Sequence, residues 1–264
     1  MMHSLSTQQF KKLSKKSLEL RKILLEYTKK KSSFIGSCFS CLEILIYIYY
    51  HKYNLTNNAK FRDRFILSKG HAAPALYSIL FNKKLISRNN FFSNKTYWHP
   101  NKDINFIDFQ TGALGHGLPV AAGFSTYYKK NKKNKKIIVI IGDGELNEGS
   151  IWETFFISQP WKLKNLVIII DKNKFQANDR TDKVINLKSQ NSILKKLGFE
   201  VLECDGHNFN QIDQTFNKIS LSKPTVIIAN TIRNHGVVSI NNKKEFWYLD
   251  KNSKDISKFE KISL

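Results

Sequence analysis

Asp143 and Asn173 supply the oxygen atoms around which this chain could build chemistry. Asp143 sits in Gly142-Asp143-Gly144, directly after five β-branched apolar residues, Ile137 to Ile141. Asn173 closes Asp171-Lys172-Asn173, directly after a second apolar run, Leu166 to Ile170. Two buried strands would thus each deliver one oxygen-bearing side chain at a carboxyl end, which is where ligands bind in a parallel α/β sheet. A carboxylate plus an amide carbonyl suits a hard cation such as Mg²⁺, which completes its shell with water and phosphate oxygens. Gly142 and Gly144 let the backbone come close to a diphosphate. A Gly-Asp-Gly turn is also a common strand ending with no metal; the second oxygen donor at Asn173 favours the cation site.

Further candidates lie upstream. His71 follows Lys69 and Gly70 at the expected start of a helix, where a histidine can meet an anion or cap the helix; the sequence leaves both readings open. His99 precedes Pro100, which keeps it out of a helix interior and in a loop. Thr111 to Gly123, TGALGHGLPVAAG, is rich in glycine and alanine, so its backbone can approach a ligand before a tightly packed helix begins near Leu118.

The elements that must position these residues follow from periodicity. Residues 8 to 30 read as an amphipathic helix, with Phe10, Leu13, Leu20, Leu24 and Tyr27 on one face and lysines on the other. Residues 33 to 37 read as a break, and Cys41 to His51 as a buried apolar helix. Strands are expected at 65–67, 137–141, 166–170, 199–204 and 225–229, and helices at 72–81, 118–129, 185–197 and 211–220, with 172–181 a loop. Alternating strands and helices predict an α/β chain, a three-layer α/β/α arrangement around a mostly parallel sheet. The 264 residues show no internal repeat and no linker, so a single domain is expected over 1–264, with 251–264 a loosely attached tail.

Bulk composition narrows the classes. Forty-one per cent apolar residues fits a globular chain. A formal charge of +22 raises nucleic acid as a partner. The basic residues, however, are nearly all lysines scattered among Asn and Ile, without the arginine-based contacts of base readers; no nucleic-acid partner is expected. Cys38-Phe-Ser-Cys41 has CxxC spacing but no second Cys/His pair, which favours packed, reduced thiols. The polar, lysine-rich N-terminus and short apolar runs predict a cytoplasmic chain with no membrane association.

Five stretches in order resemble transketolases: DRFILSKGHAAPALY, WHPN, TGALGHGLPVAAG, GDGELNEGSIWE and IIDKNKFQ. The similarity covers about residues 10 to 240 and is closest to the N-terminal subunit of split transketolases. It implies the thiamine diphosphate-binding fold of the domain that holds the diphosphate. It implies Mg²⁺ or Ca²⁺ on Asp143, Asn173 and the Phe175 carbonyl, and diphosphate contacts from His71 and Gly144. It also implies Gly112 and Leu114 against the cofactor rings, His99 facing substrate, with His71 and His99 the catalytic histidines, and Glu148 at the partner interface. The glutamate that activates the cofactor belongs to the family's other domain, so the resemblance implies a separate C-terminal transketolase-like subunit, most simply in an α₂β₂ assembly.

Two departures stand out. Where the family has a GHxG-type histidine, this chain has Ser33-Phe34-Ile35-Gly36; where it has WHG, this chain has Trp247-Tyr248-Leu249. The KGKG stretch becomes Arg233-Asn234-His235-Gly236. Diphosphate residues are kept and substrate histidines are lost. The expectation is ketol or acyl transfer between phosphorylated or nucleotide-linked sugars other than the usual pentose phosphates. An ordinary split transketolase and a noncatalytic, cofactor-binding subunit remain as alternatives.

Overall fold

The apolar runs at 137–141 and 166–170 are buried from every side, because each has a strand on both flanks and helices above and below. The computed structural model describes residues 5–53, 56, 62–177, 179–187 and 189–262. Its strands are β1 (Arg64–Leu67), β2 (Ile137–Gly142), β3 (Leu166–Lys172), β4 (Phe175–Gln176), β5 (Asp179–Arg180), β6 (Glu200–Asp205) and β7 (Thr225–Asn230). Five of them form one parallel sheet in the order β1-β2-β3-β7-β6. Strands β4 and β5 make a separate two-residue hairpin.

The helices are α1 (Thr7–Lys31), α2 (Ile35–Ser40), α3 (Leu42–Tyr47), α4 (Ala73–Asn82), α5 (Arg88–Phe91), α6 (Gly117–Lys130), α7 (Gly149–Ser158), α8 (Thr181–Val184), α9 (Gln190–Lys196), α10 (Phe209–Phe216) and α11 (Ile256–Phe259). Side chains alternate across the sheet with period two. Ile138, Ile140, Val167 and Ile169 meet α1, α3, α4 and α10 on one face. Ile137, Val139, Ile141, Leu166, Ile168 and Ile170 meet α6, α7 and α9 on the other. Both faces are therefore apolar, as a sheet covered on both sides requires. Truncating one of these isoleucines to alanine costs about 2–5 kcal/mol. The three-layer α/β/α architecture read from the sequence is the one observed.

Some local expectations give way. The break expected over 33–37 is confined to Ser32, at φ 53°, and to Ser33 and Phe34; α2 already starts at Ile35. Ser33 instead pairs through its backbone with Leu249. The loop expected over 172–181 contains the β4–β5 hairpin, shaped by positive φ at Lys174 and Ala177. The helix expected over 185–197 is shorter, Gln190–Lys196, and residues 185–187 are irregular. The C-terminal segment, expected to attach loosely, is pinned by Phe259. Its ring is fully buried and packs edge-on against Phe39 and Phe246.

Candidate active site

Because the strands run parallel, the carboxyl ends of β1, β2, β3 and β7 share one edge of the sheet. The loops leaving that edge enclose a cavity of about 310 Å³. Its walls include His71, Gly112, Leu114, Asp143, Gly144, Asn173 and Phe175, all of which the sequence singles out. His99 does not line it. The His99 ring lies beside the cavity's rim, where a Cβ built on Gly112 would touch it at 3.7 Å. Glu148 precedes α7, half-buried and outside the cavity.

Asp143 and Asn173 occupy equivalent places beyond neighbouring strands. Gly142 is in register with Asp171, and the Asp143 amide donates to the Asp171 carbonyl at 3.2 Å. The Asp143 carboxylate is buried and accepts from the backbone amides of Gly144 at 3.0 Å and Lys174 at 2.6 Å. Burial, and then the charge of Asp171, raise its pKa to about 7. The Asn173 carbonyl oxygen accepts from the Phe175 amide at 3.0 Å, which turns the chain into β4. Gly144 is required for packing: a Cβ there would come within 2.9 Å of the Gln176 side chain.

His71 enters from the turn before α4. Burial, followed by the charge of Lys69, pulls its pKa down to about 3, so at neutral pH it is an uncharged imidazole. His99 is also shifted down, by partial desolvation. The turn is crowded: a Cβ on Gly70 would meet Thr111 Oγ1 at 3.0 Å and the His99 ring at 3.1 Å. Tyr77 fixes the His99 loop by donating to the His99 carbonyl at 2.7 Å and accepting from the Asn101 amide at 2.8 Å.

Sequence reasoning passed over three buried charged groups. Lys69 lines the cavity and pairs with the buried Asp171, which also accepts from Ser40 and Thr231. Burial opposes the Lys69 charge, but Asp171 holds its pKa above the usual lysine range. Glu145 accepts from Ser68, from the Gly115 amide at 2.8 Å and from the Gly142 amide at 3.1 Å, tying three site loops together. Arg233 is 2% exposed and reaches the cavity from the loop after β7. Its Nη1 donates to the Ala177 carbonyl at 2.9 Å, its guanidinium lies 4.5 Å from the Phe175 ring centre, and its Nε has no partner among the described residues. Burial lowers its pKa to about 10. The available signal was a cation just beyond a buried strand that ends at the same edge as β2 and β3.

These residues fit a diphosphate with its cation. A buried carboxylate whose pKa has risen to about 7 gains from a bound cation. A buried guanidinium with an orphaned Nε gains from an anion. The remaining walls differ in kind. Phe34, at the start of α2, has ring centres around it at 5.6 Å (His71), 5.6 Å (Trp98), 5.0 Å (Trp247) and 5.2 Å (Tyr248). The Ser33–Leu249 pairing and a 3.1 Å bond from Ser32 Oγ to Asp250 hold this aromatic group together. The CxxC thiols are free and fully buried; burial raises the Cys41 thiol to about 12, as expected of inert, packed cysteines. Among the described residues no helix is long and apolar enough to cross a membrane.

Comparison with known proteins agrees with this geometry. A family profile described as "Transketolase, thiamine diphosphate binding domain" matches residues 20–257. One of the subunits of an apulose-4-phosphate transketolase from Phocaeicola vulgatus is 37% identical over 241 residues, covering 87% of this chain and 85% of the relative. The corresponding subunit from Actinobacillus succinogenes is 34% identical, covering 90% of each. Among solved structures, the transketolase of Campylobacter jejuni superposes with a TM-score of 0.85 at 26% identity, covering 94% of this chain. That of Leishmania mexicana has a TM-score of 0.85 at 19% identity, a likeness of fold alone. The chain spans 42% and 41% of those two structures.

Proposed function

Because the chain belongs to the transketolase family, as a thiamine diphosphate-dependent transferase subunit carrying that family's diphosphate-binding domain, we propose that it is one half of a two-subunit enzyme transferring a two-carbon ketol or acyl unit between sugars. The observation that carries the reading is the pairing of Asp143 and Asn173 with the orphaned Nε of Arg233 around one cavity. Asp143, Asn173 and the Phe175 carbonyl would hold Mg²⁺ or Ca²⁺. His71, Arg233 and the backbone at Gly144 would hold the diphosphate, with Gly112 and Leu114 beside the rings. The cofactor supplies a thiazolium able to stabilise an acyl carbanion, while the protein supplies orientation and electrostatics. His99, at the rim, would face substrate hydroxyls or the developing oxyanion.

The cavity supports a need for a second chain. Among the described residues its lining carboxylates are Asp143 and Glu145. Asp143 is committed to the cation, and Glu145 already accepts from three donors. Neither is free to exchange a proton with the cofactor's aminopyrimidine, so that carboxylate would come from a C-terminal transketolase-like subunit. Helices α6 and α7 offer that partner an apolar face. Tyr127 and Phe156 are 52% and 57% exposed, and Gly123 borders open space. An α₂β₂ complex in the cytoplasm is the simplest assembly.

The aromatic group around Phe34 supports a substrate unlike the usual pentose phosphates, because Phe34 and Tyr248 stand where the family's histidines are expected: a phenyl ring offers no hydrogen bond, and a tyrosine hydroxyl is a poor base at neutral pH. The relatives' name makes apulose 4-phosphate the first donor to try, and nucleotide-linked sugars the next. The test is to purify the chain together with its partner chain and compare apulose 4-phosphate with xylulose 5-phosphate, using one aldose phosphate acceptor. Preference for apulose 4-phosphate supports the reading. Turnover of xylulose 5-phosphate plus ribose 5-phosphate at ordinary transketolase rates would overturn the altered specificity, and no turnover with any sugar donor would overturn the transferase complex.

A further inference from the structure

Glu43, His207 and His235 bring potential ligand atoms within 4.8 Å of one another, away from the cofactor cavity. The residue types suggest a metal, but the hydrogen bonds do not. Glu43 is already paired with the buried Arg21 through contacts of 2.6 Å and 3.1 Å, and it also accepts from Ser17. A cation would sit against that guanidinium. His207 Nδ1 lies 2.8 Å from Glu43, and its Nε2 accepts from the Ile232 amide at 2.8 Å. An amide can only donate, so Nε2 is the unprotonated nitrogen and the proton sits on Nδ1, directed at Glu43. Both nitrogens of His207 are therefore in use.

Residues 231–235 gain from this arrangement. Thr231 is anchored to Asp171 through its hydroxyl and to the Lys172 carbonyl through its amide. The Ile232 amide is held by His207. The His235 carbonyl accepts from Arg21 Nε at 2.9 Å, and its ring stacks on His207 with centres 3.6 Å apart. Arg233 lies between these anchors. Its own side chain has one carbonyl partner and an aromatic face beneath it, which leaves its aim into the cavity dependent on the backbone.

We propose that His207 is a positioning residue for the anionic end of the cofactor. Its fixed tautomer holds the Ile232 amide, and its ring supports His235, so the loop presents Arg233 to the cavity at one angle. The inference rests on the reading that Arg233 meets the diphosphate.

The test is a double-mutant cycle on the full chain, reading thiamine diphosphate affinity in the presence of Mg²⁺ by fluorescence of the cavity-lining Trp247. His207→Asn keeps a donor for Glu43 but falls short of Ile232, and His207→Gln restores an acceptor at the Nε2 position. His207→Asn should weaken binding about tenfold, with His207→Gln within about threefold of the wild type, as coupling of neighbouring groups implies. Placed on Arg233→Met, the His207→Asn change should add less than about twofold, since its effect passes through Arg233. His207→Leu, judged folded by its melting curve, should match His207→Asn. Unchanged affinity in folded His207→Asn, or an equal loss with and without Arg233, would overturn the proposal. Unchanged affinity in Arg233→Met alone would overturn the diphosphate reading beneath it, and this proposal with it.

Discussion

Two groups of residues meet at one cavity, the second lining it through Phe34 and Trp247 with Trp98 and Tyr248 packed against them, and they are built on different terms. Asp143, Asn173, Lys69 and Arg233 are buried charged or amide groups, each placed by a strand end or a tied loop. Phe34, Trp98, Trp247 and Tyr248 are half-buried rings on irregular segments, held by mutual packing and the Ser33–Leu249 pairing. Burying unpaired charge is costly unless a ligand repays it, so Asp143 and Arg233 in the first group signal a cation and an anion. The rings carry no charge, and their one orphaned polar atom is Trp98 Nε1, a neutral donor, so this group tolerates a change of guest. On the proposed reading, the cofactor is held by the first group and the substrate is chosen at the second.

The comparison breaks most sharply at Asp143. Asp143→Ala should weaken joint Mg²⁺ and thiamine diphosphate binding about a hundredfold or more, since even outer partners of metal ligands are worth 10–100-fold; calorimetry reads it. Arg233→Met should lower thiamine diphosphate affinity about 10–100-fold, in line with 1.5–3 kcal/mol for a charge-assisted hydrogen bond. Titration with and without Mg²⁺ should show the cation site itself little changed.

Phe34→His tests the second group. It should leave cofactor affinity within about threefold, because Asp143, Asn173 and Arg233 keep their own partners, while steady-state assays of the complex should show substrate preference shifting towards hydroxyl-rich pentose phosphates. A large loss of cofactor affinity would show that the two groups are not separable.

His71 touches both groups and gives the smallest effect. Its folded pKa, pulled to about 3 by burial and Lys69, lies below the unfolded histidine value of about 6.5. His235 behaves alike, at about 4, through burial and its neighbour His207. The unfolded chain therefore binds protons that the folded chain refuses. Stability contributed by these two groups is present above about pH 6.5 and is lost as pH falls through the folded values. Melting temperature of the cofactor-free chain should decline over that window. Bound diphosphate should reduce the decline, because it favours protonated His71.

Much of this was legible in the sequence, for physical reasons. Short apolar runs at 137–141 and 166–170, dominated by β-branched residues, favour central strands, and their ends place Asp143 and Asn173. Glycine in 111–117 announced close backbone approach. Arg233 and Glu145 were missed because their significance lies in partners far along the chain: Ala177 and Phe175 for one, Ser68 and Gly115 for the other. The β4–β5 hairpin escaped because two-residue strands carry no periodic pattern. Phe259 looked like part of a polar tail, and a single anchoring ring leaves no periodicity to detect.

The central claim is the proposal that this chain holds thiamine diphosphate and that a partner chain supplies the carboxylate that activates it. Exchange of the thiazolium C2 proton for deuterium, followed by NMR on cofactor bound to the chain alone and to the chain with its partner, addresses it directly. Slow exchange in the bound, isolated chain and rapid exchange in the complex are predicted. Rapid exchange in the isolated chain would contradict the claim.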